Sequence, residues 1–232
     1  ASKGIGRAIA IKLASDDYTV VCISKSDQEG LLNTVESIKG KGFNAYPILC
    51  DVSNYENVRN MYNEIKTLKL PVGVIINNAG ISLVKLFQDT TPEEWHHVIN
   101  TNLTSAYNMG HLGLDDMIHR KEGNIINISS IWGNDGASME VAYSASKGGL
   151  NSFTKALAKE LGPSNIKVNA IACGVINTEM NNFLSPEEKA DLVNSISLGR
   201  YGTTSEVADL VTSMLISTYL NGQIITLDGC MY

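Results

Sequence analysis

Six short apolar runs punctuate the chain: YTVVCIS (18–24), NAYPILC (44–50), VGVIINN (72–78), GNIINIS (123–129), NIKVNAIA (165–172) and GQIITLD (222–228). Their apolar residues stand at successive positions rather than alternating, the pattern of strands covered on both faces. Helical patterns fill the segments between them, and each segment is long enough for a crossover helix. Strand and helix in alternation predict an α/β fold, a Rossmann-type doubly wound and mostly parallel sheet in a single domain spanning residues 1–232. No internal repeat, low-complexity tract or linker interrupts the pattern.

The chain opens on ASKGIGRAIA, a glycine-bearing turn into a helix. Gly4 and Gly6 let a backbone approach a pyrophosphate, whose charge suits the amide donors and dipole at a helix N-terminus. Ser2, Lys3, Gly4 and Ile5 are the candidate phosphate-turn residues. Such a turn normally follows a buried strand, and no strand precedes it in this sequence. The chain is therefore expected to be N-terminally incomplete, with a gap in the centre of its sheet.

In an open parallel sheet, ligands bind beyond the carboxyl ends of the strands. That rule selects Ser24 and Lys25, Asp51 and Val52, Asn78, Ala79 and Gly80, Ser130, and the run from Gly174 to Thr178, within which Ile176 and Thr178 are candidates. Each has a plainer reading: Asn77 and Asn78 could merely end a strand, and Asp51 could cap the next helix.

A chain that is 44% hydrophobic and 18% charged buries one sizeable core. A net charge of -6 with no basic run longer than Arg120-Lys121 argues against a nucleic-acid surface. Four cysteines, Cys22, Cys50, Cys173 and Cys230, lie far apart without a CxxC pair, as for reduced and mostly buried thiols in the cytoplasm. No apolar stretch has the roughly 18 residues of a membrane span. His96, His97, His111 and His119 stand on helical segments without metal-ligand spacing, so no metal site is expected.

Chemistry enters with YSASK at 143–147. Tyr143 and Lys147 are four apart at the head of a long helical segment and share a face. An ammonium beside a phenol favours the phenolate, which makes proton transfer practical near neutrality. Alone, such a pair is usually packing plus a solvated charge. Thirteen residues upstream, Ser130 ends the run NIINISS, where its hydroxyl could meet a substrate carbonyl or simply cap a turn.

Together with ASKGIG, CDVS, NNAG, NTNL and NAIACGVINTEM, these residues resemble the short-chain dehydrogenase/reductase family over essentially the whole chain. The resemblance implies a dinucleotide-dependent oxidoreductase. In it Tyr143 is the general acid, Ser130 positions the carbonyl, Lys147 assists Tyr143 and binds the nicotinamide ribose, and Asn102 supports a relay water. It also implies a homotetramer, with helices around 92–118 and 142–161 pairing between subunits. Lys3, Ser24 and Lys25, with no carboxylate at the first positions after the strand, favour NADP(H), whereas Asp27, further on, is an acid of the kind that suits NAD.

Within the family the strongest likeness is to reductases of 3-oxoacyl groups borne on acyl carrier protein. Such reductases dock the carrier on two cations, and Lys121 and Ser164 stand at those places. A dehydrogenase of a steroid, sugar or small secondary alcohol, and a non-catalytic dinucleotide-binding regulator, are the alternative readings. Cys173 stands where the family usually has proline, and Cys230 where it usually has glycine.

Overall fold

The computed structural model describes residues 1–179 and 185–231, which group into two compact units. The first comprises Ala1–Leu49, Cys173–Ser217 and Thr226–Tyr232. It contains α1 (Gly4–Ser15), β1 (Val20–Ser24), α2 (Gln28–Lys39) and β2 (Ala45–Leu49). Leu31, Val35 and Ile38 recur along one face of α2 and are buried, as the period of an amphipathic helix requires. They pack with Ala10 and Ala14 of α1, Cys22 of β1 and Ala45 of β2. Strands β1 and β2 pair in parallel, Val20 opposite Ala45 through Ser24 opposite Leu49.

The second unit comprises Cys50–Ala172 and Thr218–Ile225. Its elements begin with α3 (Tyr55–Thr67), β3 (Val74–Asn77) and α4 (Pro92–Ile99), continued by a π-helical turn, Asn100–Thr104. There follow α5 (Ser105–Gly113), α6 (Asp115–Arg120), β4 (Gly123–Ser130), the short α7 (Trp132–Asp135), α8 (Val141–Leu161) and β5 (Ile166–Cys173). In the first unit, α9 (Pro186–Asn194) and α10 (Thr204–Ile216) precede the last strand, β6 (Ile224–Leu227). The sheet order is β3-β4-β5-β6, with β3 and β4 parallel.

Each predicted strand is present, with ends shifted by at most two residues; β4 and β5 reach one residue further than the runs that predicted them. The strands form a two-stranded and a four-stranded sheet. Only β4 and β5 are buried almost throughout. Strands β2 and β6 lie at sheet edges and keep partial exposure. The helix expected around 92–118 is instead three helices and a π turn. Asn100, Thr101, Asn102 and Thr104 are weak α-formers, and they fall where the backbone leaves the α pattern. No helix among the described residues is long and apolar enough to cross a membrane.

Candidate active site

Of the predicted residues, Ser2, Lys3, Gly4, Ile5, Ser24, Lys25, Ile176 and Thr178 belong to the first unit. Gly4 opens α1 at φ +56°, a left-handed conformation that favours glycine; a Cβ there would lie 3.6 Å from Thr178 Cγ2. The α1 N-terminus has no side-chain cap and no acid in its first turn, so its amides suit an anion. The Ser24 hydroxyl lies 3.5 Å from that of Ser2.

Lys3, predicted as a free phosphate ligand, forms an ion pair with Glu179 at 2.8 Å, and that bond raises its pKa. Asp27 caps α2 by accepting from the Gly30 amide at 3.0 Å. Ser2 and Gly30 together hold its carboxyl below the usual range. Lys25 is exposed directly after β1, and Ile176 is buried and bridges to Gly202. Met180, the last residue of NAIACGVINTEM, lies outside the described residues.

The remaining candidates belong to the second unit. Asp51 does not cap α3, since Asn54 does so through the Asn57 amide; the Asp51 carboxylate instead accepts from Ser53 N and Oγ at 3.1 and 2.6 Å. Val52 is fixed through its carbonyl by Asn108 Nδ2 at 3.0 Å. Asn78, Ala79 and Gly80 follow β3, whose last residue, Asn77, donates to Asn127 Oδ1 at 2.8 Å.

Lys147 is 4% exposed. Its Nζ donates to the Ile128 carbonyl at 2.8 Å and lies 5.6 Å from the Tyr143 ring centroid. A buried ammonium needs such partners. A Cβ on Gly80 would come within 3.4 Å of Lys147 Nζ and 3.5 Å of Asn102 Oδ1, so the backbone at Gly80 passes directly over both.

Asn102 stands in the π turn, 2% exposed. Its Oδ1 accepts from Ile81 N at 2.8 Å, and its Nδ2 donates to Ile81 O and Ser146 Oγ, both at 2.9 Å. Both amide hydrogens are committed inside the protein. Its side chain thus clamps residue 81. Ser130, at the end of β4, accepts from Trp132 N at 3.2 Å, which leaves its hydroxyl hydrogen to donate. Tyr143, Lys147, Asn102 and Gly80 are therefore brought together, a phenol beside a buried ammonium and a backbone cradle, while Ser130 ends the strand β4 whose Ile128 carbonyl holds Lys147.

The sequence reading missed the residues that hold this constellation. Gly133 passes so close to α8 that a Cβ would lie 2.8 Å from the Lys147 carbonyl carbon. Ser146 joins Asn102 to the Tyr143 carbonyl, to which it donates at 2.6 Å. Ser82 donates to Glu140. The only sequence signal for these was proximity to YSASK, and for the π turn the run NTNLT.

The family model described as short chain dehydrogenase matches residues 1–189. The chain belongs to that family. The 3-oxoacyl-[acyl-carrier-protein] reductase FabG of Aquifex aeolicus (strain VF5) is 37% identical over 233 residues, covering 100% of this chain and 94% of the relative. Its namesake from Staphylococcus aureus (strain Mu50 / ATCC 700699) is 35% identical over 234 residues, covering 100% and 95%.

Among solved structures, a putative gluconate dehydrogenase from Agrobacterium tumefaciens superposes with TM-score 0.95 at 31% identity, covering 98% of this chain and 91% of the other. A 3-oxoacyl-[acyl-carrier protein] reductase from Brucella melitensis ATCC 23457 gives 0.92 at 34%, covering 100% and 88%. This short-chain dehydrogenase is an oxidoreductase with a Rossmann-type fold, and its family implies a nicotinamide dinucleotide cofactor. The residues present fit one: the uncapped α1 turn in the first unit suits a phosphate, and the Gly80 cradle beside Lys147 in the second suits a ribose.

Proposed function

We propose that this protein reduces the 3-oxo group of a 3-oxoacyl thioester, carried by acyl carrier protein, to the 3-hydroxyacyl product with NADPH. The observation that carries the reaction type is the Tyr143–Lys147–Ser130 constellation, with Lys147 buried beneath the Tyr143 ring. The bound dinucleotide supplies the hydride. Ser130 donates its hydroxyl hydrogen to the substrate carbonyl oxygen, and Tyr143 gives its proton to the same oxygen as negative charge develops there. Lys147 offsets the charge left on the Tyr143 oxygen and reaches ribose hydroxyls. Asn102 acts by position: it holds Ile81, and through it the Gly80 backbone against Lys147. A water relay does not run through its amide hydrogens.

Support for the thioester comes from the two reductases matched over 94% and 95% of their lengths. NADPH is favoured by Lys25 directly after β1 and Lys3 ahead of α1, and by Asp27 being held by protein donors rather than offered to a ribose. Lys121, exposed at the end of α6 with its carbonyl accepting from Asn165, is the cation assigned to the carrier, beside Ser164. A homotetramer pairing α4–α5 and α8 belongs to the same proposal. A second reading, oxidation of a sugar acid, rests on the likeness to the putative gluconate dehydrogenase.

The test is NADPH oxidation with acetoacetyl-N-acetylcysteamine, compared with 5-ketogluconate and with NADH. Tyr143→Phe is expected to lower turnover by about 10²–10⁴-fold while the Kd for NADPH holds. A variant retaining more than about a tenth of the activity refutes the assignment of Tyr143. Turnover of 5-ketogluconate alone selects the second reading.

A further inference from the structure

The approach to α8 is held more firmly than a surface loop requires. Met139 has φ +65°, a left-handed conformation that is uncommon for a non-glycine residue and costs free energy. Its carbonyl accepts from Lys85 N at 2.7 Å. The Ala137 amide donates to Ser144 Oγ at 3.0 Å, Glu140 N donates to the Ala137 carbonyl at 3.2 Å, and Ser144 N to the Glu140 carbonyl at 2.8 Å. Two of these bonds engage the Glu140 backbone and two its neighbours in the same turn, and the Glu140 side chain accepts the Ser82 hydroxyl hydrogen.

That position is adjacent to the chemistry. Residues 80–82 follow one path: Gly80 passes over Lys147 Nζ, Ile81 is clamped by Asn102, and Ser82 meets Glu140. The path thus runs along the first turns of α8 from Lys147 to Glu140. Tyr143 lies between them in sequence, in the first turn of α8 and three residues after Glu140, which is its N-cap.

The carboxylate is only partly buried. Among the described residues no cation pairs with it. The lysine tied into the same segment, Lys85, is spent on Glu94 at 2.9 Å. A carboxylate that accepts one hydroxyl keeps further lone pairs for other donors, and its negative charge is not offset.

Taking the proposed reductase reading as its basis, we propose that Glu140, oriented by Ser82, determines specificity by facing the part of the substrate next to the reacting carbonyl. It selects an uncharged group carrying a hydrogen-bond donor, such as the amide-bearing arm of a thioester, and repels a carboxylate at the same place. A 3-oxo acid free of its carrier and a sugar acid are then both poor ligands, while a neutral 3-oxoacyl thioester is accepted. Across solvent with close to the dielectric of bulk water, like charges about 5 Å apart interact strongly enough to change affinity about four- to fivefold, and salt screens the effect.

The experiment titrates acetoacetate and acetoacetyl-N-acetylcysteamine into the NADP⁺-saturated protein by calorimetry, for wild type and Glu140→Gln. The readout is the ratio of the anion's Kd to the neutral ligand's Kd. In wild type this ratio is expected to shrink as salt rises from about 0.01 M to about 1 M, where the Debye length falls from roughly 30 to roughly 3 Å. In Glu140→Gln it is expected to be about fivefold smaller at low salt, and flat with salt.

The wild-type salt series tests the idea even where the variant folds poorly. A ratio unchanged by salt and by substitution, a parallel change for both ligands, or binding of neither overturns the inference. NADPH turnover is read on the same samples. A selective ratio without turnover of either ligand sinks the reductase reading alone, and turnover with a flat ratio sinks only the role of Glu140.

Discussion

Replacing Asn102 by Asp keeps the shape of the side chain and removes both of its amide hydrogens. Oδ1 can still accept from Ile81 N, but the group that donated to Ile81 O and Ser146 Oγ at 2.9 Å becomes an oxygen facing oxygens. Only a protonated carboxyl restores one of those donations. With the side chain 2% exposed, desolvation and the facing carbonyl both disfavour the anion, so the folded-state pKa lies above the unfolded value near 3.9. A raised pKa places the variant's greatest relative stability below about pH 4, and that stability is lost as pH rises through the folded pKa.

Taking the one donation that protonation restores at about 1–1.5 kcal/mol, and the cost of leaving a buried charged oxygen facing an acceptor at about 1 kcal/mol or more, gives a gap of about 2–3 kcal/mol. This corresponds to a pKa raised by about two units at 1.36 kcal/mol per unit. Against a total of about 5–15 kcal/mol for an ordinary domain, the loss is easily measured. Urea unfolding of wild type and Asn102→Asp, followed by circular dichroism at pH 4 and pH 7.5, should show the stability difference widening by about 2–3 kcal/mol between the two. A difference constant to within about 0.5 kcal/mol would refute the clamp on Ile81 and the positioning role built on it.

Tyr62→Phe should cost about 0.5–1.5 kcal/mol of stability in urea, because the buried hydroxyl donates to the Met109 carbonyl at 2.8 Å; no change in the midpoint contradicts the bond. Of the four thiols, Cys230 is exposed, whereas Cys22, Cys50 and Cys173 are buried, and burial pushes Cys22 and Cys50 up to about 11. A colorimetric disulfide reagent at pH 8 should therefore titrate one thiol rapidly in the native protein and the other three only in denaturant. Fast labelling of two or more contradicts that burial.

What the sequence made legible is what depends on neighbours along the chain. An apolar run marks a strand wherever it packs, and the run at 44–50 becomes β2 at 45–49. The i, i+4 spacing of Tyr143 and Lys147 needs only a helix to bring them together, and α8 provides it. Choices between near-equal local options were not legible. Asp51 and Asn54 are both capping residues at the head of α3, and which one caps depends on which can reach an amide of the first turn; Asp51 finds Ser53 instead. Pairs remote in sequence were invisible for a different reason. Glu179 takes the ammonium of Lys3 across 176 positions, and Ser82 meets Glu140 across 58; no periodicity records either partner.

The polarity of the buried face of α8 shows why this site tolerates so little freedom. Ser146, Lys147, Asn151 and Thr154 are buried there beside Ala142, Leu150 and Ala158, where an apolar face would bury more oil-like surface. Apolar contacts are non-directional, so a helix held by them alone could slide or turn by a fraction of a residue at little cost. Directional bonds remove that freedom. Asn127 Nδ2 donates to Thr154 Oγ1 at 2.8 Å, Ser129 Oγ to Asn151 Oδ1 at 2.6 Å, and Asn151 Nδ2 to Asn134 Oδ1 at 2.9 Å. Among the described residues no buried side-chain nitrogen or oxygen lacks a partner, so the network avoids the penalty of a half-satisfied one. Because Asn127 and Ser129 belong to β4, the strand that ends in Ser130, these bonds fix the register of Ser130 against Tyr143 and Lys147. A displacement of about 1 Å can cost a site of this kind about 10²-fold in rate, and the polar face of α8 is what prevents it.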